Sequence, residues 1–348
     1  MVSPHHQESQ LIPCASADAA GGEVPPPGEA EAISAIVAMI ERRVVAAAAG
    51  RRARRDAHPK AHGCVSAEFH VLDDVPAPLR VGLFTHARVY PAWIRFSNGS
   101  EAPQPDRIGD GRGMAIKVLG VEASRSTTQD FIMINNPTFF VRDAADYVAF
   151  QSASNPLRFF FPSWNPFRIR LRELLVARAI TAQKVANPLD VRYWSMTPYL
   201  WGDRACKFSA RPSDNKLRFS DTSAPDFLRD NLRAQLTQTG ASFDFLAQQR
   251  THANVMPIED PRIEWREAAA PFVPIARIVI PRQTFDTAER EAFGEALSFT
   301  PWHGLDVHRP LGGINRVRRV VYETVSRVRH ELNDQVRAEP QEGPSARI

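Results

Sequence analysis

Three cysteines in 348 residues leave little sulfur for this chain to use. Cys14, Cys64 and Cys206 are scattered and odd in number, with neither CxxCH nor zinc-site spacing. That pattern argues against thioether attachment of a prosthetic group, a structural zinc and a disulfide framework. A basic, apolar, small-residue leader is also missing. The longest apolar stretch near the N terminus, residues 32–40, ends at Glu41-Arg42-Arg43 and is too short to cross a bilayer. A soluble cytoplasmic protein without a transmembrane segment is the expectation. There is no internal repeat, and neither sign of charge dominates, the formal net charge being +4.

With 43% hydrophobic residues, the chain has enough apolar material for one sizeable core, so a single domain with short appendages is the economical reading. Residues 1–30, rich in Ala, Gly, Pro and Glu without periodicity, read as a mobile arm. Residues 31–335 form the domain, and 336–348 a loose polar tail. A helix is predicted from Gly28 to about Ala49, with Ile33, Ile36, Ile40, Val44 and Val45 as its packing stripe. Period-two alternation follows at Val65-Ala67-Phe69-Val71 and Met114-Ile116-Val118, then around 131–134, 205–210 and 275–280. Antiparallel strands of this kind must be closed or covered, so the fold class is α+β, an antiparallel β-barrel with surrounding helices. An aromatic, proline-rich insert begins at Phe159-Phe160-Phe161 and leads into an amphipathic helix at about 168–184. Such an insert would either pack as a helical layer on the barrel or line an apolar entrance.

The last long helix carries the chemistry. Pro310 and Gly312-Gly313 break the chain, Asn315 can cap, and Val317, Val321, Val325, Val328 and Leu332 recur at helical spacing over 316–333. At about 100° per residue, Arg318, Tyr322, Val325 and Arg329 share a roughly 60° arc. A guanidinium one turn from a buried phenol favours the phenolate, a hard ligand for ferric iron and the axial ligand of tyrosine-bound haem. An Arg and a Tyr four apart on a basic helix are, taken alone, more often a surface pair.

Five blocks in order alter that balance: RDAHPKAHG at 55–63, WIRFSNGS at 93–100, GDGRGMAIKV at 109–118, INNPTFFVRD at 134–143 and RPLGGINRVRRVVY at 309–322. In this succession the chain resembles the catalase superfamily, specifically its short catalase-related haem proteins. The resemblance implies protohaem (haem b, iron protoporphyrin IX) buried between the barrel and the proximal helix. Tyr322 is then the iron ligand and Arg318 its partner, while Arg55, Arg95 and Arg329 bind the propionates. Asn135 becomes the distal amide, and Tyr147 and Phe150 cover the distal face. The distal histidine is His58, with His62 as the competitor because the strand that follows carries one residue more than the family pattern. Two basic clusters, at 51–55 and 316–329, could touch nucleic acid or anionic lipid, but several of their arginines already have these assigned partners.

A neutral imidazole moves a proton between peroxide oxygens and an amide holds the peroxide in line; His58 and Asn135 would fill those roles. The first functional expectation is a peroxidase or catalase-related enzyme acting on hydrogen peroxide or organic hydroperoxides with an electron donor, possible as a homo-oligomer, without nucleic acid. A fatty-acid hydroperoxide dehydratase or isomerase resembling coral allene oxide synthase domains is the second, and a non-enzymatic haem carrier or sensor the third. Ala57, in place of a bulky aliphatic residue before the distal histidine, makes room for a larger peroxide.

Overall fold

A computed structural model of the chain describes residues 22–49, 52–122, 126–213, 219–336 and 339–340. In chain order the main elements are α1 (Glu29–Ala47), β1 (Ala61–Val71), β2 (Val89–Asn98), β3 (Arg112–Leu119), β4 (Thr128–Ile134), α2 (Ala144–Gln151), α3 (Pro156–Phe160) and α4 (Leu171–Thr181). Then follow β5 (Tyr193–Trp194), β6 (Tyr199–Trp201), β7 (Arg204–Pro212), α5 (Phe227–Gln238), β8 (Ala241–Gln249), β9 (Val273–Ile280), α6 (Ala288–Ala296) and α7 (Gly313–Leu332).

The strands pair antiparallel in the order β5-β4-β3-β2-β1-β9-β8-β7-β6, and β5 also pairs with β7. That second pairing closes eight strands into a barrel through the two-residue β5, with β6 appended to β7. Alternation fills the interior. Phe69, Phe131, Phe208 and Phe245 pack ring on ring, with centroids between 4.7 and 5.9 Å. The opposite side chains of β1 to β4, among them Cys64, Trp93, Leu119 and Ile132, form an outer cluster with Leu297 and Phe299 from the segment after α6. The alternation of β1 to β4 thus gives the barrel two useful faces, a packed inside and an outside on which a site can be built.

Helices α1, α2 and α7 form a separate layer through Ile36, Ile40, Val44, Ala144, Val317 and Val328. The i, i+4 spacing of 36, 40 and 44 sets the contact line, and Val45, expected in the stripe, is turned 100° away and exposed. Two boundaries also differ from expectation. The final helix starts at Gly313 after Gly312 in a left-handed conformation (φ 87°). Asn315 therefore lies in the first turn rather than at the cap, its amide donating to the carbonyls of Pro198 and Leu311. The helix after the aromatic insert is shorter than 168–184, because Pro166 lies within a separate turn (Pro166–Arg168) ahead of it.

The expected mobile arm is described only from Gly22, and 22–28 is anchored: Glu23 takes Arg309 and Arg316 at 2.7 Å each and accepts the Gly312 N–H at 2.8 Å. Residues 1–21 lie outside the described set. At the other end, Glu339 of the expected loose tail reaches the buried Lys117 ammonium at 2.7 Å. No helix among the described residues is long and apolar enough to cross a membrane.

Candidate functional site

The row Ser97, Gly113, Ile134 runs across β2, β3 and β4 on the outer face of the barrel. His58 lies over it. Its Nδ1 is 3.0 Å from Ser97 Oγ, and a Cβ added at Gly113 would lie 2.7 Å from the imidazole and 2.9 Å from that hydroxyl. The ring rests directly on the backbone. His58 has a left-handed backbone (φ 60°), costly for a residue with a Cβ. Its N–H to Gly99 O (3.4 Å) and its carbonyl to Arg95 Nη2 (2.9 Å) hold it there. Burial, reinforced by the cations Arg95, Arg318 and Arg55, lowers the imidazole pKa to about 3. A neutral base results. His58 nonetheless keeps some accessible surface, as do Phe139, Phe140, Tyr147, Phe150, Arg318 and Tyr322.

His62 has a different setting. Register shifts between Ala61 and Gly63, so the extra residue noted in the sequence forms a bulge. The His62 ring turns to Asn98 Oδ1 at 2.8 Å, inside a buried network in which Lys60, Asn98 and Leu228 N–H all bond Asp106. His62 is thus committed to this network, whereas His58 rests on Ser97 and Gly113.

Arg55, Arg95 and Arg329 converge as expected, but around a residue that sequence reasoning missed. Arg55 Nη1 is 2.9 Å and Arg95 Nη2 3.4 Å from Glu295 Oε1 at the end of α6, and Arg329 bonds the Glu295 carbonyl. Burial pushes this carboxyl up, yet the three guanidiniums outweigh burial and hold it below its ordinary range. Burial and mutual repulsion lower Arg95 to about 10 and Arg329 to about 9, so both remain cationic at neutral pH. Buried Arg95 and Arg329 and half-buried Arg55 thus face one carboxylate among their described contacts. Nε of Arg95 and Nε of Arg329 are buried without a hydrogen-bond partner, although such groups normally find one. An excess of two positive charges and spare donors suits a ligand carrying two carboxylates, which is the anionic edge of protohaem.

Asn135 lies where expected, beside the His58 row, with its N–H on Arg112 O (3.0 Å) and its Oδ1 accepting Arg112 N–H (2.7 Å). Gln183 braces it twice: its Oε1 accepts from Asn135 Nδ2 at 2.9 Å and its Nε2 donates to the Asn135 carbonyl at 2.7 Å. Arg318 and Tyr322 share a face of α7, but the guanidinium donates to Thr197 Oγ1 and Asn315 Oδ1, both at 3.3 Å, rather than to the phenol. Beside them lies Tyr199, whose buried hydroxyl has no partner and whose pKa is raised by burial despite Arg318. Tyr147 accepts from Gln151 at 3.0 Å, and burial pushes its phenol up to about 12. Phe150 packs edge-on against Phe140 (4.7 Å) and Phe159 (5.4 Å). Among the described residues no cluster of three His, Cys, Asp or Glu side chains could hold a metal ion.

The cradle at Gly113 gives a sharp expectation. Gly113→Ala should displace the imidazole and lower peroxide turnover by roughly 10- to 100-fold, the range for a misaligned supporting group, with haem binding kept. Steady-state assay and haem titration on one preparation check it.

A family model described as Catalase matches residues 42–157, which include His58, Arg95, Gly113, Asn135 and Tyr147. Among solved structures, the chain is similar to a fungal catalase, with a TM-score of 0.64 at 19% identity over 82% of this chain and 62% of that one. A bacterial catalase gives 0.61 at 17% over 88% and 65%. Catalase A from Saccharomyces cerevisiae gives 0.63 at 18% over 87% and 69%. The chain thus spans about two thirds of the length of these catalases and shares their fold.

Proposed function

We propose that this chain, a member of the catalase superfamily by the domain over residues 42–157 and by its fold, is a haem-dependent enzyme that consumes hydrogen peroxide or organic hydroperoxides. The supporting observation is the pairing of a neutral, backbone-seated imidazole with a buried surplus of guanidinium charge on the same outer face of the barrel. When bound, protohaem would supply ferric iron and redox chemistry that no side chain here has.

The chain's own residues would do the rest. Arg55, Arg95 and Arg329 would hold the two propionates, and Tyr322 would offer its phenolate oxygen to the metal. With Nδ1–H donating to Ser97 Oγ, His58 Nε2 would take a proton from one peroxide oxygen and return it to the other. Asn135, fixed by Gln183 and Arg112, would hold the peroxide in line through the Nδ2 hydrogen not used by Gln183. Phe139, Phe140 and Phe150 make the approach apolar, which favours an organic hydroperoxide over a fully hydrated one.

Absorbance titration with hemin and with its dimethyl ester tests this reading. Hemin should bind at least about tenfold more tightly, the margin for losing two charge-assisted contacts, and Arg329→Ala should narrow the gap. Equal affinities would show that the arginines serve Glu295 alone.

A further inference from the structure

From residue 157 to 175 the surface is unlike the rest of the molecule. Leu157, Trp164, Phe167, Ile169, Leu171 and Leu175 are large apolar side chains left exposed, Phe167 by 96% and Trp164 by 68%. Isolated exposed leucines need no explanation, but a concentration of this kind within nineteen residues marks a contact surface. Trp164 stacks only on Phe161 (6.1 Å). Both it and Ser163 have left-handed backbones (φ 55° and 54°), a cost hard to assign to packing when the indole points outward.

Within this segment basic residues outnumber acids. Residues 157–184 contain five arginines and Lys184 against a single acid, Glu173, which is buried and paired with Arg262. Arg170 is taken by Asp146 at 2.6 Å. Arg158, Arg168, Arg172, Arg178 and Lys184 make no ion pair among the described residues, and all five are exposed.

We infer that this face docks the protein on an anionic phospholipid bilayer, with Trp164 and Phe167 entering the interface and the arginines resting on headgroup phosphates. Aromatic and aliphatic groups beside a basic rim are the composition of interfacial, non-spanning anchors. A second copy fits less well. A two-fold contact would lay the basic face against itself, bringing the unpaired cations together. A polyanion such as nucleic acid would leave the apolar groups without use. The buried side of the insert, Phe159 and Phe160, is continuous with Phe140 and Phe150, so docking would bring the apolar approach to the site next to the lipid. Docking itself does not depend on haem being bound there.

The test is co-sedimentation of the purified full chain with phosphatidylcholine vesicles, with and without phosphatidylglycerol. Binding should require phosphatidylglycerol at low salt and weaken as salt rises. Trp164→Ser with Phe167→Ser should lower it at least about tenfold, the low end for withdrawing two aromatic rings from an apolar phase, whereas Phe167→Leu should keep it. Brominated lipid should quench the wild-type fluorescence more than that of Trp164→Phe. Circular dichroism would confirm folding of each variant. A folded chain that ignores phosphatidylglycerol vesicles at low salt overturns the inference. So does self-association that the Trp164→Ser, Phe167→Ser variant abolishes while vesicle binding stays unchanged, which assigns the face to a second copy.

Discussion

Tyr322→Phe should lose the ferric-phenolate absorption of the haem-loaded chain and bind hemin at least about 100-fold more weakly, beyond the 10- to 100-fold typical of losing a mere support to a ligand. The reason lies in the geometry of α7. Its apolar side is fixed against α1 by Val317 and Val328, and its N-terminal turn is pinned through Asn315 to Pro198, so the backbone that carries the phenol is held in place. Loss of one hydroxyl leaves these contacts intact, and the variant should unfold at the wild-type temperature. Tyr199 is the control. Its buried hydroxyl is near enough to feel Arg318 and Tyr322, but burial opposes its ionisation, so Tyr199→Phe should retain the spectrum.

His58→Ala should slow peroxide consumption by about 10²- to 10⁴-fold, the contribution of a positioned acid-base group, with hemin affinity little changed. The pH dependence separates it from an ordinary histidine. With burial and three cations lowering its pKa to about 3, His58 stays a neutral base well below pH 6, so the acid limb of the rate profile should show no titration near 6.5. The same shift has a stability sign. Below pH 6.5 the unfolded chain protonates this histidine while the folded chain resists down to about 3, so folding stability falls as pH is lowered through that window. His58→Ala should flatten the fall, as measured by urea unfolding at pH 7 and pH 5. His62→Ala should act differently, costing stability at pH 7 because Asn98 loses a buried partner, while turnover per folded molecule is retained.

Legibility in the sequence followed the range of the interaction. Alternation in β1, β3 and β9 and the i, i+4 line 36, 40, 44 are local consequences of which side is buried, and they were readable. So was the surplus residue before β2, which became the His62 bulge. Phe243, Phe245 and Ala247 of β8 alternate inward and Phe227, Leu228, Leu232 and Leu236 mark α5. Neither is legible from pattern alone, because apolar Leu246 breaks the alternation of β8 at a register shift and the Arg-Asp-Asn run interrupts α5. Within the site, positions inside motifs were legible and their braces were not. Glu295, Gln183 and Ser97 act through partners 39 to 240 residues distant, where spacing gives no signal. Gly113 was inside a quoted block, yet only the closeness of the His58 ring explains the missing Cβ. The anchoring of 22–28 depends on charge pairing with Arg309 and Arg316 nearly 290 positions away, which composition cannot reveal.

Resonance Raman spectroscopy of the hemin-reconstituted chain, prepared with and without ring-deuterated tyrosine, asks most directly whether Tyr322 binds the iron. Isotope-sensitive phenolate bands under excitation into the charge-transfer absorption, present in the wild type and missing from Tyr322→Phe, are the expected result. A spectrum indifferent to the label, or one that Tyr322→Phe leaves untouched, would contradict it.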